Sequence, residues 1–151
     1  MLTPYLIIIR LVFSVFLSGI VGLERQLHRR TAGLRTHILV CMGSCLIMLT
    51  SLYVFDIYKD KTALDPARIA AGVITGIGFL GAGTIIRSGE VVKGLTTAAS
   101  LWMVSGIGLA VGCGFYLAAF VASILALIVL FFLRYLEKTI LGKEEKDTER
   151  G

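Results

Sequence analysis

Few side chains in this sequence could do chemistry, and most of them stand at the edges of apolar runs. Glu24 and His28 are four apart, and with His37 they come closest to a metal-ligand set. Two imidazoles and one carboxylate without a fixed ligand spacing do not make a metal centre. No metal is expected, and the arginine-rich connector holding them reads as a contact for lipid head groups. Asp65 and Arg68 open a second polar edge, and Thr96, Thr97 and Ser100 a third. The hydroxyls can cap a helix or bond a neighbouring helix; together with a helix N-terminus they could also offer donors to an anion. No nucleophile–base pair is evident, so neither a catalytic residue nor a cofactor is expected. The run Gly76-Ile77-Gly78-Phe79-Leu80-Gly81 fits G-x-G-x-x-G, but no acidic residue follows about twenty positions on, and the nucleotide-binding reading fails.

Arg10 is the one charge well inside an apolar run. On insertion scales a central guanidinium costs roughly 2.5–3.5 kcal/mol, and less where it can reach the interface. At four-residue spacing it leads through Ser14 and Ser18 to Gly22, a narrow small-and-polar stripe expected to face another helix. Arg10 can therefore reach outward to the interface, or pair with Asp65 or Asp56. Pairing with Asp65 predicts coupling in a double-mutant cycle.

The elements that position these groups follow from hydropathy. Apolar residues make up 56% of the chain and charged residues 17%, well away from a soluble domain. Five apolar runs lie at about 3–23, 36–55, 67–86, 95–112 and 115–133, each near the ~20 residues a helix needs to cross a bilayer. Gly112-Cys113-Gly114 reads as a tight turn between the last two. Arg25, Arg29, Arg30 and Arg35, then Arg87 and Lys93, then Arg134, Lys138, Lys143, Lys146 and Arg150 fall on one side. Lys59, Lys61 and Arg68 fall on the other. The positive-inside rule then puts the N-terminus outside and the C-terminus in the cytoplasm. The fold expected is an all-α membrane protein of five transmembrane helices, a membrane domain over 1–140 and a charged, disordered tail over 141–151. The net charge of +5 belongs to these connectors, and no nucleic acid is expected as a partner. Cys41 and Cys45 read as buried thiols. The first run lacks a basic leader and a cleavage site, and is expected to be retained.

The stretch from Asp65 to Trp102 organises the rest. Asp65 as N-cap and Pro66 at the first helical position start a helix that carries Gly72, Gly76, Gly78, Gly81 and Gly83. Each glycine costs roughly 1 kcal/mol relative to alanine in a helix, yet in lipid small residues let backbones approach closely. Gly72, Gly76 and Gly83 share one side, Gly78 and Gly81 another. The helix is thus either packed all round or broken between Gly76 and Gly83, as in transporters.

The chain resembles the MgtC/SapB family of bacterial inner-membrane proteins. The resemblance rests on Gly22-Leu23-Glu24-Arg25, AGLRTHILV at 32–40, DPARIAAGVITGIGFLGAGTIIR at 65–87 and GLTTAASLW at 94–102, in the family's order. Two departures stand out. Gly72 occupies a position where the family pattern usually has a polar amide, and only a short tail follows the last run where many relatives continue into a soluble domain. The resemblance implies an inner-membrane protein linked to growth at low magnesium and, in some pathogens, to virulence. Permeation of Mg²⁺ fits the residues poorly, because Mg²⁺ wants carboxylate or other oxygen ligands and no Asp or Glu lies within the five runs. The leading expectation is therefore a non-enzymatic protein that binds other inner-membrane proteins, or its own copies, within the lipid bilayer. The alternative is a small oligomeric transporter or channel. Arg10, Asp65 and Arg68 would form its outer site, a broken third span its midplane, and Glu24, Arg25, Arg35 and Thr97 its inner gate.

Overall fold

The first helix starts where Thr3 gives way to Pro4, whose fixed φ and missing N–H suit the first helical position. It runs over Pro4–Leu27 (α1) in the computed structural model, which describes residues 3–61, 63–133 and 135. There follow α2 (Leu34–Tyr58), α3 (Ala67–Ala82), a two-stranded hairpin of β1 (Ile86–Ser88) and β2 (Val91–Lys93), α4 (Leu95–Cys113) and α5 (Tyr116–Ile128). A π-helical turn over Val129–Leu133 continues α5. The charged tail expected over 141–151, and the end of the domain expected at 140, lie outside the described residues.

Among the described residues five α-helices are present, as the five apolar runs predict, but their lengths differ from the expectation. The helices α1, α2 and α4 are long and apolar enough to cross a membrane, whereas α3 and α5 are shorter. The sequence reading continues α3 to residue 86; the helix stops at Ala82. Local chemistry accounts for this. Gly81, Gly83 and Thr84 loosen the last turn, where Thr84 N–H and Ile85 N–H bond Gly81 O and Ala82 O at 3.0 Å, and the β-branched Ile85-Ile86 favours extended backbone. The segment read as a charged loop is thus a hairpin, Ile86 opposite Lys93 and Ser88 opposite Val91. Gly89 at φ 61° supplies its turn.

Two helix ends close in the same way. At the end of α4, Gly114 lies at φ 91°. Its N–H bonds Val111 O at 3.0 Å while Phe115 N–H bonds Ala110 O at 2.8 Å. This is a Schellman motif, and it makes the tight turn expected at Gly112-Cys113-Gly114. At the end of α1, Arg29 at φ 51° takes the left-handed position without being a glycine, with Arg30 N–H on Arg25 O at 3.0 Å.

The bundle centres on α2 and α4. Leu17 and Val21 of α1, Cys41, Cys45 and Leu49 of α2, and Val104, Ile107 and Val111 of α4 form its core. Close approach is made by Gly108 and Gly112 of α4, which the sequence reading does not assign to packing, and by Gly22 of the stripe below Arg10. A Cβ on Gly108 would fall on the carbonyl of Cys41, and one on Gly112 would lie 2.7 Å from Cys45 O. One on Gly22 would lie 2.9 Å from Leu34 Cα. The stripe below Arg10 behaves as expected: Ser14, Ser18 and Gly22 are buried, with Ser18 against Cys41 and Ser14 against Cys45. Both cysteines are free and buried.

Candidate functional site

The sequence singles out polar residues that the fold distributes over both ends of the bundle. At the end formed by the α1–α2 connector, Glu24 and Arg25 are buried in the last turns of α1. Arg25 Nη1 lies 3.6 Å from Glu24 Oε2, and His28 Nδ1 lies 2.8 Å from Glu24 Oε1. His37, one turn into α2, is fully buried. Its Nδ1 lies 2.8 Å from Gly33 O and its Nε2 3.0 Å from Ser100 Oγ of α4. The Ser100 hydroxyl also stands 2.8 Å from Thr97 O. Ser100 thus joins two helices rather than capping its own, and Thr97 is buried beside it, while Thr96 is exposed. Glu24, Arg25, Thr97 and Ser100 therefore gather around one end of the α1–α2–α4 core. Arg35 does not join them; it is exposed and lines an open polar pocket with Gln26, Thr31 and Thr36. Among the described residues no group of His, Cys, Asp and Glu could hold a metal ion.

At the opposite end, Arg10 reaches the α4–α5 corner rather than a carboxylate. Its Nη1–H donates to Gly112 O at 2.7 Å and its Nε–H to Tyr116 Oη at 3.1 Å. The guanidinium thereby bonds a carbonyl at the C-terminus of α4, the end where a helix dipole favours a cation. Tyr116 in turn stacks edge-on against Phe13, ring centroids 5.9 Å apart. Asp56 is engaged elsewhere: the Lys59 ammonium donates to its Oδ1 at 2.8 Å, and that bond raises the Lys59 pKa above the ordinary lysine value. Among the described residues Arg10 forms no ion pair with Asp56 or Asp65. Asp65 and Arg68 are exposed at the start of α3. Asp65 does cap that helix, its Oδ1 accepting the Ala67 N–H at 2.8 Å. The outer trio of Arg10, Asp65 and Arg68 is thus not assembled within one chain.

Neither description offered for α3 holds. The helix is unbroken from Ala67 to Ala82, and it is not packed all round, because only Ala70, Ile77 and Gly81 are buried. Of the five glycines from 72 to 83, Gly81 alone meets another helix, at Ala98 of α4. Gly72, Gly76 and Gly78 have nothing within 4 Å of where a Cβ would stand. Gly72 and Gly76, with Gly43 of α2, floor a groove of about 650 Å³ walled by Leu39, Ile47, Ile69, Val73 and Leu80.

Sequence reasoning missed the His37–Ser100 link, Tyr116 as the partner of Arg10, and the contact glycines of α4. The last had a visible signal. Gly108 and Gly112 are four apart, opposite Cys41 and Cys45, also four apart, which is the small-residue spacing that lets membrane helices meet closely.

Comparison with known proteins gives the chain its place. The MgtC family profile matches residues 11–139. A protein of Escherichia coli (strain K12) that bears the provisional name of magnesium transporter, YhiD, is 44% identical over 138 residues, 90% of this chain and 64% of that protein. Protein MgtC of Salmonella typhimurium (strain LT2) is 43% identical over 87% of this chain and 53% of its own. Protein SapB of Bacillus subtilis (strain 168) is 38% identical over 89% of this chain and 59% of its own. The chain thus spans between half and two-thirds of the length of these curated relatives. No solved structure matches. With the family's pattern running from residue 11 in α1 through the whole of α2, α3, α4 and α5, this chain belongs to the MgtC family.

Proposed function

We propose that this protein is a multi-pass protein of the bacterial inner membrane that acts by holding another membrane helix, without catalysis, in the adaptation of the cell to low magnesium or stress. The observation that carries this reading is the open groove between α2 and α3. Gly43, Gly72 and Gly76 give it a floor without side chains. Three helical glycines forgo roughly 1 kcal/mol each of helix propensity, and within the chain no close packing at Gly43, Gly72 or Gly76 offsets it. A backbone that comes close from outside would do so, as small-residue surfaces do in lipid. Gly76→Leu is expected to abolish cross-linking of the protein to its membrane partner or to a second copy, with insertion intact. Cross-linking at the wild-type level would remove the groove from the function.

The name of the YhiD relative favours the alternative, a transporter. Continuous helix through Gly76 and the engagement of Arg10 with the α4–α5 corner give that reading less support. All five helices cross the membrane in this proposal, the N-terminus outside and the C-terminus cytoplasmic. At 1.5 Å per residue α3 covers about 24 Å, a short span that a locally thinned bilayer accommodates at modest cost. The basic connectors support the orientation. In oriented vesicles a reporter fused to the C-terminus should be reached only from the cytoplasmic side; labelling from outside would reverse the topology or change the number of crossings.

A further inference from the structure

His37 sits where α1, α2 and α4 meet at the connector end, with no solvent-exposed surface. Gly22 lets α1 close over it: a Cβ there would stand 3.0 Å from the Cβ of His37. Its two ring nitrogens face different kinds of group. Nδ1, 2.8 Å from Gly33 O, faces a carbonyl, which can only accept, so Nδ1 carries a proton whether the ring is neutral or charged. Nε2, 3.0 Å from Ser100 Oγ, faces a hydroxyl, which can donate or accept. That hydroxyl has a second acceptor at hand in Thr97 O at 2.8 Å. As a carbonyl inside α4, Thr97 O has its own helical N–H partner and does not depend on the hydroxyl.

We infer that His37 and Ser100 form a proton-binding site, in which the ring gains or loses a proton at Nε2 while the Ser100 hydroxyl reverses its bond. With the ring neutral, the Ser100 O–H donates to the Nε2 lone pair. With the ring charged, Nε2–H donates to Ser100 Oγ, and the Ser100 O–H turns to Thr97 O. The proton enters and leaves as H⁺ at one nitrogen, and no other bond is made or broken. Both states keep Nδ1–H on Gly33 O, and neither leaves a buried nitrogen without a partner, which would otherwise cost about 1–3 kcal/mol. A buried imidazole normally loses a bond in one of its two charge states; here the heavy atoms can stay where they are.

The charges that act on the ring come from α1. They are Arg25 and Glu24, with His28 Nδ1, just past the end of α1, 2.8 Å from Glu24 Oε1. From α4 the facing groups are the neutral Ser100 and Thr97, and the connector contributes the Gly33 carbonyl. The site therefore makes the charge at the junction of three helices depend on pH without a movement of the helices.

The sequence contains two histidines, so His28→Gln leaves a single imidazole to follow by ¹⁵N NMR of the protein in lipid nanodiscs. The expected neutral His37 carries its proton on Nδ1, the minor tautomer of histidine in water, and titrates in one step. Ser100→Ala removes the acceptor that the charged ring uses, so the titration midpoint should move to lower pH by about one unit, a roughly tenfold change. Ser100→Thr, which keeps a hydroxyl, should restore most of that shift. A neutral ring with its proton on Nε2 would overturn the proposal even if the Ser100→Ala variant failed to fold. So would a midpoint identical in wild type and Ser100→Ala, or a ring that stays in one charge state from about pH 4 to 9.

Discussion

Gly108→Ala is expected to destabilise the protein by about 3 kcal/mol, although alanine is the best helix former and glycine among the worst. The reason is the object the new methyl group meets. Its Cβ would fall on the backbone carbonyl of Cys41 and 2.8 Å from Ser44 Cβ. A side chain can turn away from such a contact; a carbonyl inside α2 can move only with its helix. The other face of α2 is held in turn, since Cys41 and Cys45 lie against Ser18 and Ser14 of α1. Overpacking a well-packed core costs roughly 1–3 kcal/mol, and a backbone obstacle puts Gly108 at the upper end. Gly112→Ala meets the Cβ of Met48 at 2.6 Å and Cys45 O at 2.7 Å. Met48 can adjust part of the way, so about 2 kcal/mol is expected there. Gly106, two residues from Gly108 on the same helix, has nothing within 4 Å, and Gly106→Ala should be neutral or stabilising by up to about 1 kcal/mol. Reversible unfolding in mixed micelles gives the order directly. Equal losses at Gly106 and Gly108 would mean that α2 and α4 do not meet backbone to backbone.

That contrast between glycines also marks how far the sequence can be read. Hydropathy locates all five helices, because an apolar run of this length has few other uses. The cap at Asp65, the turn at Gly112-Cys113-Gly114 and the stripe Arg10–Ser14–Ser18–Gly22 are local or periodic features, and each is found in its expected place. The sequence does not tell which neighbour a given face meets. Glycines 72, 76 and 78 and glycines 108 and 112 look equally suited to close packing, yet the first three are open and the last two touch α2. Choosing between them requires the order of helices around the bundle, which no single helix encodes. The end of α3 is hidden for a related reason: Ile85 and Ile86 count as apolar in a hydropathy window, but their β-branched side chains lead into a hairpin. At the candidate site, Glu24 and Arg25 could be singled out as charges beside an apolar run. His37 showed no such contrast, because its importance lies in a hydroxyl 63 positions away.

The same limit explains Arg10, for which charge alone points to carboxylate partners at Asp65 and Asp56. A carboxylate is not what holds it. Two hydrogen bonds, to Gly112 O and Tyr116 Oη, tie α1 to the corner between α4 and α5. Bonds that involve a charged group contribute roughly 1.5–3 kcal/mol each where they are buried, and this guanidinium is only half-buried. Arg10→Ala is therefore expected to cost about 3 kcal/mol in total. Removal of a charge from the span does not offset this, because the guanidinium sits in the membrane in both the folded and the unfolded inserted chain. Arg10→Lys keeps the charge but loses the planar fork that reaches two acceptors, and should lose about half as much. Tyr116→Phe should cost about 1 kcal/mol and be coupled to Arg10→Ala by a similar amount. The cycle of Arg10→Ala with Asp65→Asn should be additive within about 0.5 kcal/mol, as for residues that share no partner. Coupling to Asp65 and none to Tyr116 would return Arg10 to an outer charged site and revive the transporter. Coupling to Tyr116 alone makes the guanidinium part of the scaffold, and leaves the open groove between α2 and α3 as the place where this protein meets its surroundings.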